Sequence, residues 1–409
     1  MSADFECRSC GGKQGQLILD LGVQPLANNL LRPEDLDKPE PKFPLRLFLC
    51  AECWLLQIGD LISTVKLFSE YFYFSSFSDA MLRHAREATQ RYLREFSLNA
   101  KSFIVEIASN DGYLLKNFVE AKIPCLGIEP AANIAKVARE NGVETLTEFF
   151  GTALARKLKS EGKAADLLLG NNVFAHVPDP NDFVGGLREL LKPQGRIVLE
   201  FPYAVDFIER CEFDTIYHEH VFYFSLTALK PLFERHGLAI FHAEKISIHG
   251  GSLQLFAGHA GAHPIQPSVD TLLSDEKRRG VDALNYYENF ARRTQAIKTD
   301  LVKLVADLKW QGKEIAAYGA AAKGSTLLNF CGFEPETFEF VADRSTFKQG
   351  RLTPGLHLPI VPAEYLLERM PDYTLLLTWN FADEILAQQH FYRERGGKFI
   401  LPISTVKIV

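Results

Sequence analysis

Tyr217, His218, Glu219 and His220 place a phenol, two imidazoles and a carboxylate at consecutive positions between apolar runs. An imidazole takes a proton near neutral pH, a carboxylate beside it can orient or charge-tune the ring, and a phenol can donate to an oxygen on which charge develops. Proton abstraction is one chemistry open to this stretch. Two readings compete with it: an extended segment would present His218 and His220 on one face as a metal pair, and a plain turn would hold both rings as structural histidines. Cys7, Cys10, Cys50 and Cys53 form a second reactive set, two CxxC turns. Four thiolates so spaced can surround Zn²⁺ tetrahedrally with no open position, which makes the site structural. Separate thiol pairs and a redox CxxC are the alternatives, weakened by the duplication and by the lack of a thioredoxin-like strand and helix. Seven cysteines, unevenly spaced, suit metal ligation in a reducing compartment better than a disulfide framework.

These groups need elements to position them. Residues 103–115 read as a buried strand carrying Glu106, a turn closed by Gly112, and a helix, which puts a ligand at the carboxyl end of a parallel strand beside helix amides. The next strand ends in Glu129, whose carboxylate can accept two ribose hydroxyl protons. The turn lacks the GxGxxG fingerprint, so a cofactor with ribose but no phosphate fits better than a dinucleotide. It is similar to the loop of class I S-adenosylmethionine-dependent methyltransferases, with Glu106 to Gly112, including Asn110 and Asp111, in place of acid-x-Gly-x-Gly-x-Gly. A third strand from Ala165 delivers Asn171, Asn172 and His176 to the same rim, and a fourth runs from Gly195 to Pro202. The aromatic and hydroxyl-rich run 70–78, with Tyr71 and Ser75, either lines a ligand or packs on the next domain. The turn at His249 either faces the site or closes a plain hairpin.

A helical stripe over 269–310 reads as core and connection. A second strand-turn-helix follows, with a strand from Glu314 to Tyr318, a turn at Gly319 and a helix predicted to open at Ser325. It is not a Walker loop, yet Lys323 and Ser325 near a helix amino terminus make an anion site. Lys348 and Arg351 either neutralise a diphosphate or belong to a solvated loop.

The 409 residues allow roughly two to three domains. A net charge of −6 argues against a nucleic-acid partner. No apolar run of about 18 residues predicts a membrane span, and the first residues lack a signal-peptide pattern, so a cytoplasmic protein is expected.

Taken together, Cys7/Cys10/Cys50/Cys53, the run from Tyr71, Glu106 to Gly112, Gly127 to Pro130, Asn172 to Pro178, Tyr217 to His220, His249 to Gly251, Tyr318 to Lys323, Lys348 to Gly355 and Trp379-Asn380 resemble the sugar C-methyltransferases that act on dTDP-4-keto-deoxyhexoses, of the tetronitrose 3-C-methyltransferase type. The resemblance spans the chain. It implies an α/β protein with a small N-terminal zinc-binding module (1–68), a central class I methyltransferase Rossmann-like domain (69–262) and a second, C-terminal Rossmann-like domain (263–409). It implies S-adenosyl-L-methionine bound by Tyr71, Ser75, Glu106, Asn110, Asp111, Gly112, Glu129, Asn171 and Asn172, and a dTDP-linked keto-deoxysugar held by His249, Lys323, Ser325, Lys348 and Arg351. His220 is then the base, supported by Tyr217, Glu219 and His176, while His218 inherits no role. A monomer or weak oligomer is expected. The alternatives are a non-methylating sugar-nucleotide enzyme or binding protein with two Rossmann-like modules, and a metal-dependent hydrolase using His218 and His220.

Overall fold

The computed structural model describes residues 5–63, 67, 75–246 and 251–409, so Tyr71 and His249 lie outside the described residues. Strands β1 (Gly15–Pro25), β2 (Lys42–Cys50) and β3 (Leu56–Ile58) pair antiparallel. Both cysteine turns stand at one end of this ribbon, because Gly15, just after the first turn, is in register with Cys50.

The central unit contains β4 (Ile104–Ile107), β5 (Cys125–Ile128), β6 (Thr145–Leu146), β7 (Ala165–Asn171), β8 (Leu191–Pro202), β9 (Phe222–Tyr223), β10 (Leu238–Ile246) and β11 (Ser252–His259). All but β9 form one sheet in the order β10-β11-β8-β7-β4-β5-β6, with β4 to β8 parallel and β11 antiparallel to both neighbours. The chain reverses its direction of travel across the sheet between β4 and β7, which opens a crevice beyond the strand carboxyl ends. Strands buried on both faces must alternate two apolar sets. Ile104, Leu167 and Val198 pack with Tyr92 of the helix Asp79–Glu95, while Val105, Leu168 and Ile197 pack with Leu158, Leu187 and Phe233 of helices on the other side. Strand β9 leaves this sheet and pairs with β3 (Leu56 opposite Tyr223), so the segment just after the Tyr217 stretch completes the N-terminal ribbon.

Helices Pro267–Arg279 and Leu284–Trp310 follow, the predicted stripe being broken at Gly280, whose φ of 85° ends the first helix in a left-handed cap. The last sheet comprises β12 (Ile315–Tyr318), β13 (Val341–Asp343), β14 (Ile360–Pro362), β15 (Tyr373–Leu376), β16 (Lys398–Leu401) and β17 (Lys407–Ile408), ordered β14-β13-β12-β15-β16-β17 and parallel except for β17. It is a second Rossmann-like unit with its own switch point. The helix after β12 spans Ala322–Cys331 and so opens three residues before Ser325. Gly319 turns the chain directly off β12 at φ 92°, where a Cβ would stand 2.3 Å from Thr378 Oγ1, and the small residues behind it enter the helix at once. One apolar core joins the three parts, including Leu47 and Leu56 of the ribbon, Phe201 and Phe224 of the centre, and Ile297 and Leu327 beyond.

Candidate active site

The Tyr217 stretch is a tight turn, closed by His220 N–H to the Tyr217 carbonyl at 2.9 Å. That conformation separates the two imidazoles, so the shared-face metal pair does not form. His218 is buried against the N-terminal ribbon, at the Pro44 carbonyl of β2 (3.2 Å), while His220 turns to the Thr215 carbonyl and the Tyr217 hydroxyl. His220 Nδ1–H donates to the Thr215 carbonyl (2.8 Å), which leaves Nε2 as the acceptor for the Tyr217 hydroxyl at 2.7 Å. His176, on the loop after β7, packs edge-on to His220 with ring centroids 4.9 Å apart and donates from Nδ1 to the Glu219 carbonyl (2.7 Å). Glu219 therefore orients an imidazole through its main chain, whereas its carboxylate accepts from Asn28 Nδ2 at 2.6 Å. Burial, reinforced by the neighbouring His176, holds the His220 imidazolium well below the ordinary histidine range. Burial lowers His176 to about 4 and raises Glu219 to about 7. Both rings are thus neutral at pH 7, and His220 Nε2, which accepts the Tyr217 hydroxyl, is positioned to take a proton.

Three parts of the molecule hold this turn. Val221 N–H bonds the Ala175 carbonyl of the central unit (2.7 Å), and Ile58 N–H bonds the Val221 carbonyl from the ribbon (3.0 Å). From the C-terminal unit, Trp379 Nε1–H donates to Asp214 Oδ2 (2.6 Å) and Thr326 Oγ1 to the Ile216 carbonyl (3.2 Å). Asp214 is fully buried and its carboxyl is pushed up to about 6 by burial, with Lys323 opposing.

At the β4 turn, Glu106 is fully buried and neither carboxylate oxygen meets a partner among the described residues. Burial first, then Asp111 and Glu129, push it well above the usual carboxylate range. Glu129 accepts from the main-chain N–H of Asn110 (3.1 Å) and Ala131 (2.9 Å), and spare lone pairs remain for hydroxyl donors. Asn110 and Asp111 side chains accept from Ser75 N–H (2.9 Å) and Ser76 N–H (3.2 Å), fastening the 75–77 turn over the loop. Asn171 reaches the Tyr113 hydroxyl at 3.4 Å, and Asn172 N–H donates to the Glu200 carbonyl at 2.6 Å.

The C-terminal candidates divide. Lys323 lies over the Trp379 ring at 4.6 Å and donates to Asn380 Oδ1 (3.0 Å), close enough for its charge to act on His220 and Asp214. Lys348 instead bonds the Ala320 carbonyl (2.8 Å), and Arg351 the Phe347 carbonyl (3.2 Å). Ser325 is buried inside the helix. Asp343, at the end of β13, accepts from Ala320 N–H (2.7 Å), as Glu129 does at its own turn.

Three family descriptions match the chain in order: "Putative zinc binding domain" over residues 7–68, "Methyltransferase domain" over 81–243 and "C-methyltransferase C-terminal domain" over 247–404. The sequence is 36% identical over 405 residues to the C-methyltransferase NovU of Streptomyces niveus, covering 99% of this chain and 96% of that one. The chain belongs to the C-methyltransferase family. A shorter likeness, 29% over 93 residues, joins 22% of this C-methyltransferase to 38% of the Ubiquinone biosynthesis O-methyltransferase of Bartonella tribocorum (strain CIP 105476 / IBS 506). Among solved structures, the PH0226 protein from Pyrococcus horikoshii OT3 overlaps 46% of this chain and 94% of its own at 15% identity, with a TM-score of 0.38.

The C-methyltransferase depends on S-adenosylmethionine, and its central unit fits that cofactor. The orphaned Glu106 carboxylate suits a cationic amino group, and Glu129 suits ribose hydroxyls. The four cysteines fit zinc. Their sulfurs all lie within 4.8 Å of one another, with Cys7–Cys53 and Cys10–Cys50 at 3.6 Å, close to the tetrahedral edge of about 3.8 Å that Zn–S bonds require. No other metal cluster occurs among the described residues, and no helix of the described residues is long and apolar enough to cross a membrane. Asn28 and Asp214 were not foreseen as part of the site. A lone Asn after a strand and an Asp in a polar run carry no periodic signal; Trp379-Asn380 carried one only through the family resemblance.

Proposed function

We propose that this C-methyltransferase methylates a dTDP-linked 4-keto-deoxyhexose at C3, next to the ketone, with His220 as the base. The carrying observation is the half-buried, neutral His220 ring: Thr215 fixes its tautomer, and Nε2 points at the Tyr217 hydroxyl. A carbon beside a ketone becomes nucleophilic only when its proton leaves. His220 Nε2 takes that proton as the Tyr217 O–H turns from the ring to the ketone oxygen, where it stabilises the enolate. Neutral His176, with its one N–H committed to the Glu219 carbonyl, serves better as a proton relay than as an oxyanion donor. The Glu219 carboxylate stabilises the imidazolium that forms. When bound, S-adenosylmethionine supplies the electrophilic sulfonium methyl that this carbanion acquires.

In this reading residues 69–262 hold the cofactor through Tyr71, Ser75, Glu106, Asn110, Asp111, Gly112, Glu129, Asn171 and Asn172. Residues 263–409 hold the nucleotide, Lys323 facing the turn and Lys348, Arg351 and Ser325 lying nearer the diphosphate. Its support is the meeting of Asp214, Trp379 and Lys323 beside the catalytic turn. The test incubates a panel of dTDP-4-keto sugars in deuterated water. Wild type should exchange the proton next to the ketone, and His220→Ala should lose both exchange and methyl transfer. Exchange at the wild-type rate in His220→Ala would remove His220 as the base.

A further inference from the structure

We infer that Asn28, delivered by the zinc module, is a positioning residue that keeps ionised the carboxylate of Glu219, the residue next to His220 in the turn. This deepens the proposed function and rests on the role given there to Glu219. The Asn28 amide is the one side chain among the described residues that hydrogen-bonds the Glu219 carboxylate, at 2.6 Å. Glu219 is only 6% exposed, whereas Asn28 stands exposed.

The segment carrying Asn28 is fixed at several points. Asn29 N–H bonds the Leu26 carbonyl (3.0 Å) and Leu30 N–H the Asn28 carbonyl (2.9 Å), between the buried anchors Ala27 and Leu31. Leu31 and Leu352 then exchange two main-chain bonds at 3.0 and 2.9 Å. Glu40 accepts from Gly355 N–H (3.0 Å) and His357 Nε2 (3.2 Å). Residues 26–40 therefore strap the ribbon to the C-terminal loop and set the Asn28 amide against the turn. An N–H donor favours the charged carboxylate, opposing the burial that favours the acid.

The other titratable groups around the turn are Asp214, Tyr217, Tyr223, His176, His220 and His218, with Lys323 acting on His220 and Asp60 on His218. None of these bears on Glu219 as its first cause; burial and Asn28 do.

The carboxyl of Glu219 can be followed by ¹³C NMR on glutamate-labelled protein, assigned by its disappearance in Glu219→Gln. Asn28→Ala should raise its midpoint by about one pH unit, and Asn28→Asp, which adds a like charge, by more. Unmoved titrations in both variants, with zinc content and thermal unfolding preserved, would overturn the inference. Asn28→Asp is nearly isosteric, so it remains informative if Asn28→Ala folds poorly. The acid limb of kcat/KM with the accepted keto sugar should follow the same shifts. A moved NMR titration with an unmoved acid limb would uphold the Asn28 effect and overturn the catalytic role of Glu219.

Discussion

Burial sets the protonation of the groups at the 217–220 turn more than residue type does. An unfolded histidine titrates near 6.5, but folded His176 stays neutral down to about 4. Below pH 6.5 the unfolded chain therefore binds a proton that the native chain refuses, and stability falls with falling pH until about 4. Glu219 runs the other way. Its carboxyl is raised from 4.5 to about 7, so the native state holds a proton the unfolded state releases, and stability falls as pH rises across that interval. Thermal melts across pH should show His176→Asn flattening the acid slope between 6.5 and about 4. Glu219→Gln should flatten the slope between 4.5 and about 7.

At the scale of the element, the β4 turn explains how a glycine-poor sequence builds a cofactor loop. Ala108, Asn110 and Gly112 adopt φ of 53°, 50° and 78°, so alternate residues take the left-handed conformation although only the last is glycine. Each non-glycine residue held there costs about 1 kcal/mol. The bonds from Ser75 and Ser76 to the loop side chains, and that from Asn110 to Glu129, offset part of it. The neighbouring strand supplies a second constraint. A Cβ on Gly127 would stand 2.4 Å from Ser109 Oγ and 3.0 Å from Thr145 Oγ1. Gly127→Ala is expected to push the Ser109 turn outward and destabilise the fold by about 1–3 kcal/mol. Calorimetry should show weaker S-adenosylhomocysteine binding, whereas an unchanged affinity would mean the turn absorbs the methyl.

For the whole molecule, the zinc module is joined to the proposed catalytic turn by direct contacts. Its β3 pairs with β9, Pro44 holds His218, and Asn28 meets Glu219, all at or next to the 217–220 turn. The cofactor loop, by contrast, hangs on the seven-stranded sheet. Elemental analysis should find one zinc per chain. Cys7→Ser should lose that zinc and loosen the ribbon, lowering substrate exchange and methyl transfer by more than S-adenosylhomocysteine affinity. Equal loss of both would mean that the module stabilises the entire fold without favouring the turn.

The cysteine turns, the acids at strand ends, the alternation of strands and helices and the Tyr217 stretch were all legible in the sequence. Each is a local pattern whose spacing or periodicity carries its own physical reason. Tertiary structure alone decided that β9 joins the ribbon, that His218 turns to Pro44 while His220 turns to Thr215 and Tyr217, and that the helix after β12 opens at Ala322. It also decided that the 214–221 segment is gripped from three sides, because Asn28, Ala175 and Trp379 reach it across large sequence separations. Residue types announced which protons could move; burial and long-range contacts determined the form in which His176, Glu219 and His220 hold them.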